Sequence, residues 1–526
     1  MRSLFCGVAI AAIVSVSASA AFAAPPADID AFVAKSMQTF GPPGMSVAIV
    51  ENGKVVFTRG YGIRSIATKA PVNEHTAFPI GSESKAFTAA ALAILVDQGK
   101  LKWTDRVVDK LPGFQMYDPY ATEHMTIIDL LTHRSGLGLG EGDLLIVPAT
   151  TRSRADIVHA LRYLKPVTGF RESFAYDNIL YIVAGALVES VSGETWEHFV
   201  ETHIFAPAGM TDAMTAYHID AKNGVALHAR INGPIMGMGP QSILQHGLEG
   251  GASAPAGAIN ASATDMAKWM QAQLAHGKLP NGKQLFSATQ SDEMWKPRVV
   301  VSPDSFGAAT SAVLAALSPK FQDYGLGWFV ESYHGHVVIE HTGAVLGAVA
   351  AQYLIPEKGV GISVNINSED GAARRAVAMH LLDYYLGIPD QHWNEELKKL
   401  MDGMMAAGQK AMKAQPEQMK PNNKSSLPTG SYAGVYRDPW YGTTTVSTRD
   451  GGNLWMKFDQ TPRMEGPLTH VADDTFKVVW ADHMIEPAYV KFDVASGKIV
   501  KVEMKPVSPL ADFSFDYQDL HFAPAH

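Results

Sequence analysis

The stretch GMSVAIVENGKVVFTRGYG, Gly44 to Gly62, is two β-rich runs joined by Asn52-Gly53, a pair suited to a tight hairpin turn. The pattern changes over Phe78 to Trp103. From Ser82 to Gln98 the chain is rich in Ala and Leu and free of Gly and Pro, which predicts a buried helix. Helical, loop-rich sequence continues to about residue 290, with an evident loop at Gly136 to Gly140. Strand patterning returns between Tyr324 and Asn367: GLGWFVESY and HVVIEHTG flank a short turn, then AVAAQYLI and VGISVNI follow. Ala372 to Leu386 predicts a helix covering that sheet. Strands at both ends can join one sheet only if the helical middle is an inserted lobe. The expected fold is α/β, an antiparallel sheet flanked by helices with such a lobe, over residues 24–390.

Residues 391–427 change character. Glu395 to Met412 is charged, Met-rich and helical, and Gln415-Pro416 with the polar run Lys420 to Ser426 predicts a linker. From Tyr432 short alternating runs recur: YAGVY, TTTVST, NLWMKF, FKVVW, YVKFDV, KIVKVEM and FSFDY. Turn residues punctuate them, so residues 428–526 are expected to form an all-β, barrel-like domain.

Composition narrows the function. The chain has 526 residues, 47% hydrophobic and 18% charged, with a net charge of −9. That is ample for several domains and a large core, and it excludes general disorder. No basic run stands out, so a nucleic-acid partner is not expected. Arg2, the apolar run Leu4 to Ala20 and Ala21-Phe22-Ala23 read as a cleavable export signal over residues 1–23. The expected product is periplasmic or secreted, without stable membrane insertion once the signal is removed. The one cysteine, Cys6, lies inside that segment, so the mature chain has no disulfide, thiolate zinc site or cysteine nucleophile. No metal or cofactor is expected.

Searches for a Gly-x-Ser-x-Gly elbow, His-Glu-x-x-His or a phosphate-binding Gly-Lys loop fail. One pattern survives: Ser82-Glu83-Ser84-Lys85, the only Ser-x-x-Lys in the chain. Residues i and i+3 share a helix face, so Lys85 can reach the Ser82 hydroxyl, and a desolvated lysine can take its proton. Alone the pattern is weak, because Ser82 could simply cap a helix and Lys85 be solvated. Two further segments bear on it. Tyr176-Asp177-Asn178 precedes an apolar helix, where side chains can project from a loop or simply cap the helix. His341-Thr342-Gly343, followed by Ala344, ends a strand, and a small residue there leaves room for a substrate backbone.

In this order the three segments resemble the serine β-lactamase and penicillin-binding-protein superfamily, nearest the branch of class C β-lactamases, D-aminopeptidases and related esterases. Phe78-Pro79-Ile80-Gly81, Leu130 to Leu137, Pro255-Ala256-Gly257 ahead of Ser262-x-x-Asp265, and Leu354 to Gly359 fit the same order, so the likeness covers roughly residues 30–390. The resemblance implies that Ser82 is the acylated nucleophile, Lys85 its proton acceptor and Tyr176 a second base. Asn178 would bond Lys85 and the substrate amide, and the N–H groups of Ser82 and Ala344 would form the oxyanion hole. His341, Thr342 and Gly343 would line the substrate. Glu83 is expected to point away as a helix N-terminal charge, and His133 to hold its loop. His334 and His336 read as surface residues. β-Lactamases of this superfamily usually carry Lys where this chain has His341, and a neutral imidazole offers no fixed charge to a substrate carboxylate. The C-terminal domain resembles lipocalin-like barrels appended to some peptidases of this group.

The expected activity is an exported serine hydrolase that cleaves amide bonds of small peptides, including ones with D- or non-standard residues. A carboxyl-ester hydrolase is the first alternative, then a β-lactamase, and a slowly acylated penicillin-binding receptor is the non-enzyme alternative. The expected partner is a small peptide or ester, with self-association as a homo-oligomer left open.

Overall fold

The structure is a computed structural model that describes residues 25–525 except 217–221, 234–236, 246–250, 303–304, 306–318 and 419–423. The expected export signal, residues 1–23, lies outside the described residues.

The hairpin at Asn52-Gly53 forms: β1 (Gly44–Glu51) and β2 (Lys54–Gly62) pair through a turn in which both Asn52 and Gly53 have positive φ. The later strands are β3 (Val299–Val300), β4 (Gln322–Tyr324), β5 (Phe329–Tyr333), β6 (His336–Val345), β7 (Ala348–Ile355) and β8 (Val360–Ile366). They make one eight-stranded sheet in the order β2-β1-β8-β7-β6-β5-β4-β3. β1 joins β8 antiparallel, Met45 facing Ile366, so the two ends of the domain share a sheet and the chain between them is an insertion. β1 and β8 are buried along their whole lengths, even though VGISVNI alternates apolar residues with Gly361, Ser363 and Asn365. One face carries helices Ile29–Phe40 and Gly371–Leu386, with Val33 of the first packed in one core with Val47, Ile362 and Val364 of the sheet. The other meets helix Ala263–Leu274 and the lobe.

The lobe is built on two apolar helices, Ser84–Asp97 and Ile179–Ser192. Every residue from Ser84 to Leu95 is buried, so this helix has no solvent face and is fixed on all sides. Gly185 lets Pro255 lie against the second helix; a Cβ there would sit 2.2 Å from the proline ring.

Beyond the helix Trp393–Gln418, eight strands from Gly434–Asp438 to His521–Pro524 pair in chain order and close into a barrel, Tyr436 meeting Pro524. Phe458, Phe476, Phe492 and Trp480 fill its interior. Three details differ from expectation. The helix runs through Pro416 and ends two residues later, at Gln418. The strand Glu465–Ala472 was hidden by Pro467. FSFDY, Phe513 to Tyr517, is not a barrel strand: Ser514 and Asp516 bond to the lobe at Asp143, Gly142 and Leu144, while Tyr517 packs on Trp480 of the barrel.

Candidate active site

Ser82 stands in a single 3-10 turn, Gly81–Glu83, immediately before the buried helix. Lys85 is one turn on and entirely buried. Its Nζ lies 2.9 Å from Ser82 Oγ, 2.7 Å from Asn178 Oδ1 and 3.0 Å from the Ala256 carbonyl oxygen. A neutral amine has two N–H bonds and one lone pair. The two oxygens that can only accept, Asn178 Oδ1 and Ala256 O, take the two hydrogens. The lone pair is left for the Ser82 hydroxyl, the arrangement a base needs. Burial pulls the Lys85 ammonium down to about 7, against the pull of Asp143 and Asp177, so the amine form is accessible near neutrality.

Tyr176, Asp177 and Asn178 divide their work by direction. Asp177 Oδ1 accepts the N–H groups of Ile179 and Leu180 at 2.8 and 3.4 Å, so it anchors the following helix. Tyr176 and Asn178 turn toward Ser82. The Tyr176 ring lies 4.8 Å from Lys85 Nζ, its hydroxyl is hydrogen-bonded with Ser82, and burial pushes it well above the ordinary phenol value. It is therefore a protonated phenol at neutral pH. His133 clamps this loop: its carbonyl accepts Ala175 N–H and its Nδ1 accepts Asp177 N–H at 3.0 Å, while its ring stacks on Tyr176 at 4.3 Å.

The strand end of β6 lies directly against the turn Gly81–Glu83. A Cβ on Gly343 would fall 1.8 Å from Ile80 O and 2.9 Å from Ser82 N; one on Gly81, where φ is +52°, would fall 2.5 Å from Ala344 N. Both glycines are thus required for the backbone N–H groups of Ser82 and Ala344 to be neighbours. Thr342 and Gly343 line the cavity beyond Tyr176.

His341 is buried, with both ring nitrogens engaged. Nδ1 lies 2.7 Å from the Thr342 carbonyl oxygen, which can only accept, so Nδ1 carries the hydrogen. Nε2 then accepts from the Tyr324 hydroxyl at 2.9 Å. Burial and the Lys85 charge drive its pKa to about 3, so it is a neutral wall of the site.

Glu83 corrects an expectation. It is fully buried, and neither carboxylate oxygen has a partner among the described residues. Burial raises its pKa well above the usual range, against the pull of Arg374, so it is not the solvated helix-end charge expected. His334 is exposed in the β5–β6 turn, and His336 pairs with Glu357 at the surface.

Two cavities, of about 390 and 360 Å³, meet at Ser82. The first is mainly apolar, lined by Ile146, Val147, Leu346, Met405 and Phe515 among others, with Glu369 and Glu486 on its wall. The second runs past Tyr176 and Phe329 to Arg374 and Arg375. Asp512, on the C-terminal domain, borders both. Sequence reading missed Asp143, Tyr324, Asp512 and Ser514. None stands at a telling distance from the Ser-x-x-Lys pattern, and the barrel residues reach the site only through the tertiary fold. Among the described residues, no cluster of three His, Cys, Asp or Glu could hold a metal, and no helix is long and apolar enough to cross a membrane.

Comparison with known proteins gives the same picture. A family profile described as Beta-lactamase matches residues 29–386, and one described as Domain of unknown function (DUF3471) matches 418–524. The chain is 29% identical over 444 residues, 81% of its length and 78% of the relative's, to "Unguisins hydrolase ungD'" of Aspergillus campestris. An octameric penicillin-binding protein homologue from Pyrococcus abyssi matches 91% of this chain and 97% of its own, at 21% identity and a TM-score of 0.58. A penicillin-binding protein from Bacillus halodurans matches 66% of this chain and 98% of its own, at 23% identity and a TM-score of 0.53.

Proposed function

Because the chain belongs to the β-lactamase family of serine hydrolases, we propose that it is an exported peptidase. It cleaves amide bonds of small peptides, including ones with D- or non-standard residues, through an acyl-enzyme on Ser82. The observation that carries this reading is the Lys85 lone pair aimed at Ser82 Oγ by Asn178 and Ala256. Lys85 takes the hydroxyl proton as Oγ attacks the carbonyl carbon, and the oxyanion forms beside the N–H groups of Ser82 and Ala344. Such donors are typically worth about 3 kcal/mol of barrier each. The proton passes through the Tyr176 phenol to the leaving nitrogen, and the amine departs with the C–N bond broken. Water then attacks the ester, its proton returns to Ser82 Oγ by the same groups, and the carboxylic acid is released.

Two features favour a peptide over a β-lactam. The two chambers meeting at Ser82 give room on both sides of the scissile bond. His341 is neutral where a β-lactamase of this superfamily usually presents a cation to the substrate carboxylate. A relative named as a hydrolase of unguisins supports the hydrolytic direction.

The test is hydrolysis of D- and L-alanyl nitroanilides, a short-chain nitrophenyl ester and a chromogenic cephalosporin, with Ser82→Ala as control. Amide turnover abolished in Ser82→Ala is expected. Ester turnover alone would give the esterase reading, cephalosporin turnover the β-lactamase, and no turnover at all the slowly acylated receptor.

A further inference from the structure

We infer that Ser514, carried by the C-terminal barrel domain, is a positioning residue for the catalytic lysine, acting through Asp143 and Asn178. The inference rests on the reading of Lys85 as the base that activates Ser82.

The connection is a continuous chain of hydrogen bonds. Ser514 Oγ–H donates to Asp143 Oδ2 at 2.8 Å. The same oxygen accepts Asn178 Nδ2–H at 2.8 Å, and Asn178 Oδ1 accepts Lys85 Nζ–H at 2.7 Å. Ser514 and Asp143 are 371 residues apart in sequence, and both are buried. Asn178 must present its oxygen to Lys85; turned over, it would set an N–H against an N–H. Its amide is fixed because Nδ2 has a carboxylate to donate to. Asp143 in turn is held through Oδ2 alone among the described residues, its other oxygen having no partner there. Taking Ser514 away leaves that carboxylate only the amide it is supposed to orient.

The backbone carrying Asp143 is held by the same barrel segment. Asp516 Oδ2 accepts Gly142 N–H at 2.7 Å and Oδ1 accepts Leu144 N–H at 2.9 Å. Asp512 Oδ1 accepts the Ser514 N–H at 2.9 Å, which fixes the serine itself. Ser514 and Asp516, with Asp512 behind the serine, thus brace one turn of the lobe, and that turn braces the site. Phe513, between them, lies edge-on to Tyr176 at 6.1 Å.

Loss of Ser514 has a directional consequence for pH dependence. The groups facing Lys85 are the carboxylates Asp143 and Asp177, the phenols Tyr176 and Tyr181, and the imidazoles His133 and His341. The Ser514 hydroxyl favours the charged form of Asp143, and charged Asp143 favours protonated Lys85. Without Ser514, Asp143 takes up a proton more readily and Lys85 gives one up more readily, so the acid limb of kcat/KM moves to lower pH.

The experiment measures kcat, KM and the pH profile on a peptide nitroanilide that the full-length wild type hydrolyses and Ser82→Ala does not. The variants are Ser514→Ala, Asp143→Asn and their combination, with Ser496→Ala on an exposed barrel turn as control. Expected are a fall of about tenfold in kcat for Ser514→Ala, the scale of a lost hydrogen bond to a charged group, with KM little changed and the acid limb displaced downward. The double variant should be no slower than Asp143→Asn alone, because both changes break one chain. If Ser514→Ala melts well below the wild type, Ser514→Cys, similar in size with a weaker donor, carries the test with an intermediate kcat. Wild-type kcat and pH profile in the Ser514 variants, or independent multiplication of the two single effects, would overturn the inference. Failure of the hydrolase reading itself is separate: it appears as no Ser82-dependent turnover in the wild type.

Discussion

Lys85 must lose a proton before it can take one from Ser82, and its surroundings decide at what pH that happens. Burial lowers its pKa to about 7 while Asp143 and Asp177 resist. His341 is neutral above about 3 and Tyr176 ionises far above neutrality, so neither competes for the acid limb. The sign is fixed: protonated Lys85 is inactive, so kcat/KM for an amide should rise with pH through about 7 and then level. A profile already flat down to pH about 5 would mean that Lys85 is not the base. Ser82 and Lys85 were marked in the sequence by their spacing, and Tyr176 and Asn178 by the family resemblance of the three segments; the fold brings the four side chains together. Glu83 was misread because a helix-start carboxylate is ordinarily solvated, and only the packed structure reveals its burial. Asp143 carries no local signal; its role comes from Asn178 and Ser514, which distant segments bring to it.

At the scale of elements, the strand end Thr342-Gly343-Ala344 and the turn Gly81–Glu83 form the reacting centre by backbone proximity. Gly343→Ala should therefore cost about 100-fold or more in kcat/KM, since its methyl meets Ile80 O at 1.8 Å and must push β6 from the nucleophile. Circular dichroism should remain that of a folded protein, because the clash is confined to one strand end. Near-wild-type activity would show that Ala344 N–H is not used. Most elements were readable in advance: the Asn52-Gly53 hairpin, the buried nucleophile helix and the returning strands each follow from local pattern. FSFDY was not, because alternation reports one buried face without saying what buries it. Here Tyr517 turns to the barrel's Trp480, and the polar alternates Ser514 and Asp516 bond to the lobe rather than to a neighbouring strand.

The whole molecule puts a catalytic domain and a barrel into one working site. That the helical lobe is an insertion was deducible, because strands at its two ends had to meet, and Met45 does face Ile366. Where the barrel docks was not deducible, since the contacts join Arg152 to Tyr441, Thr151 to Gln460 and Gly142 to Asp516, pairs with no common motif. The docking gives the two chambers around Ser82 a border from a second domain, and it ties the lysine's orientation to that domain. All of this presupposes that Ser82 is an activated nucleophile. The most direct measurement is labelling of the protein with a fluorophosphonate, in which an activated serine oxygen bonds phosphorus and expels fluoride, followed by mapping of the modified peptide by mass spectrometry. One adduct per chain, on Ser82, absent in Ser82→Ala and forming faster as pH rises through about 7, is the expected result. Labelling of another residue, undiminished in Ser82→Ala, would contradict it.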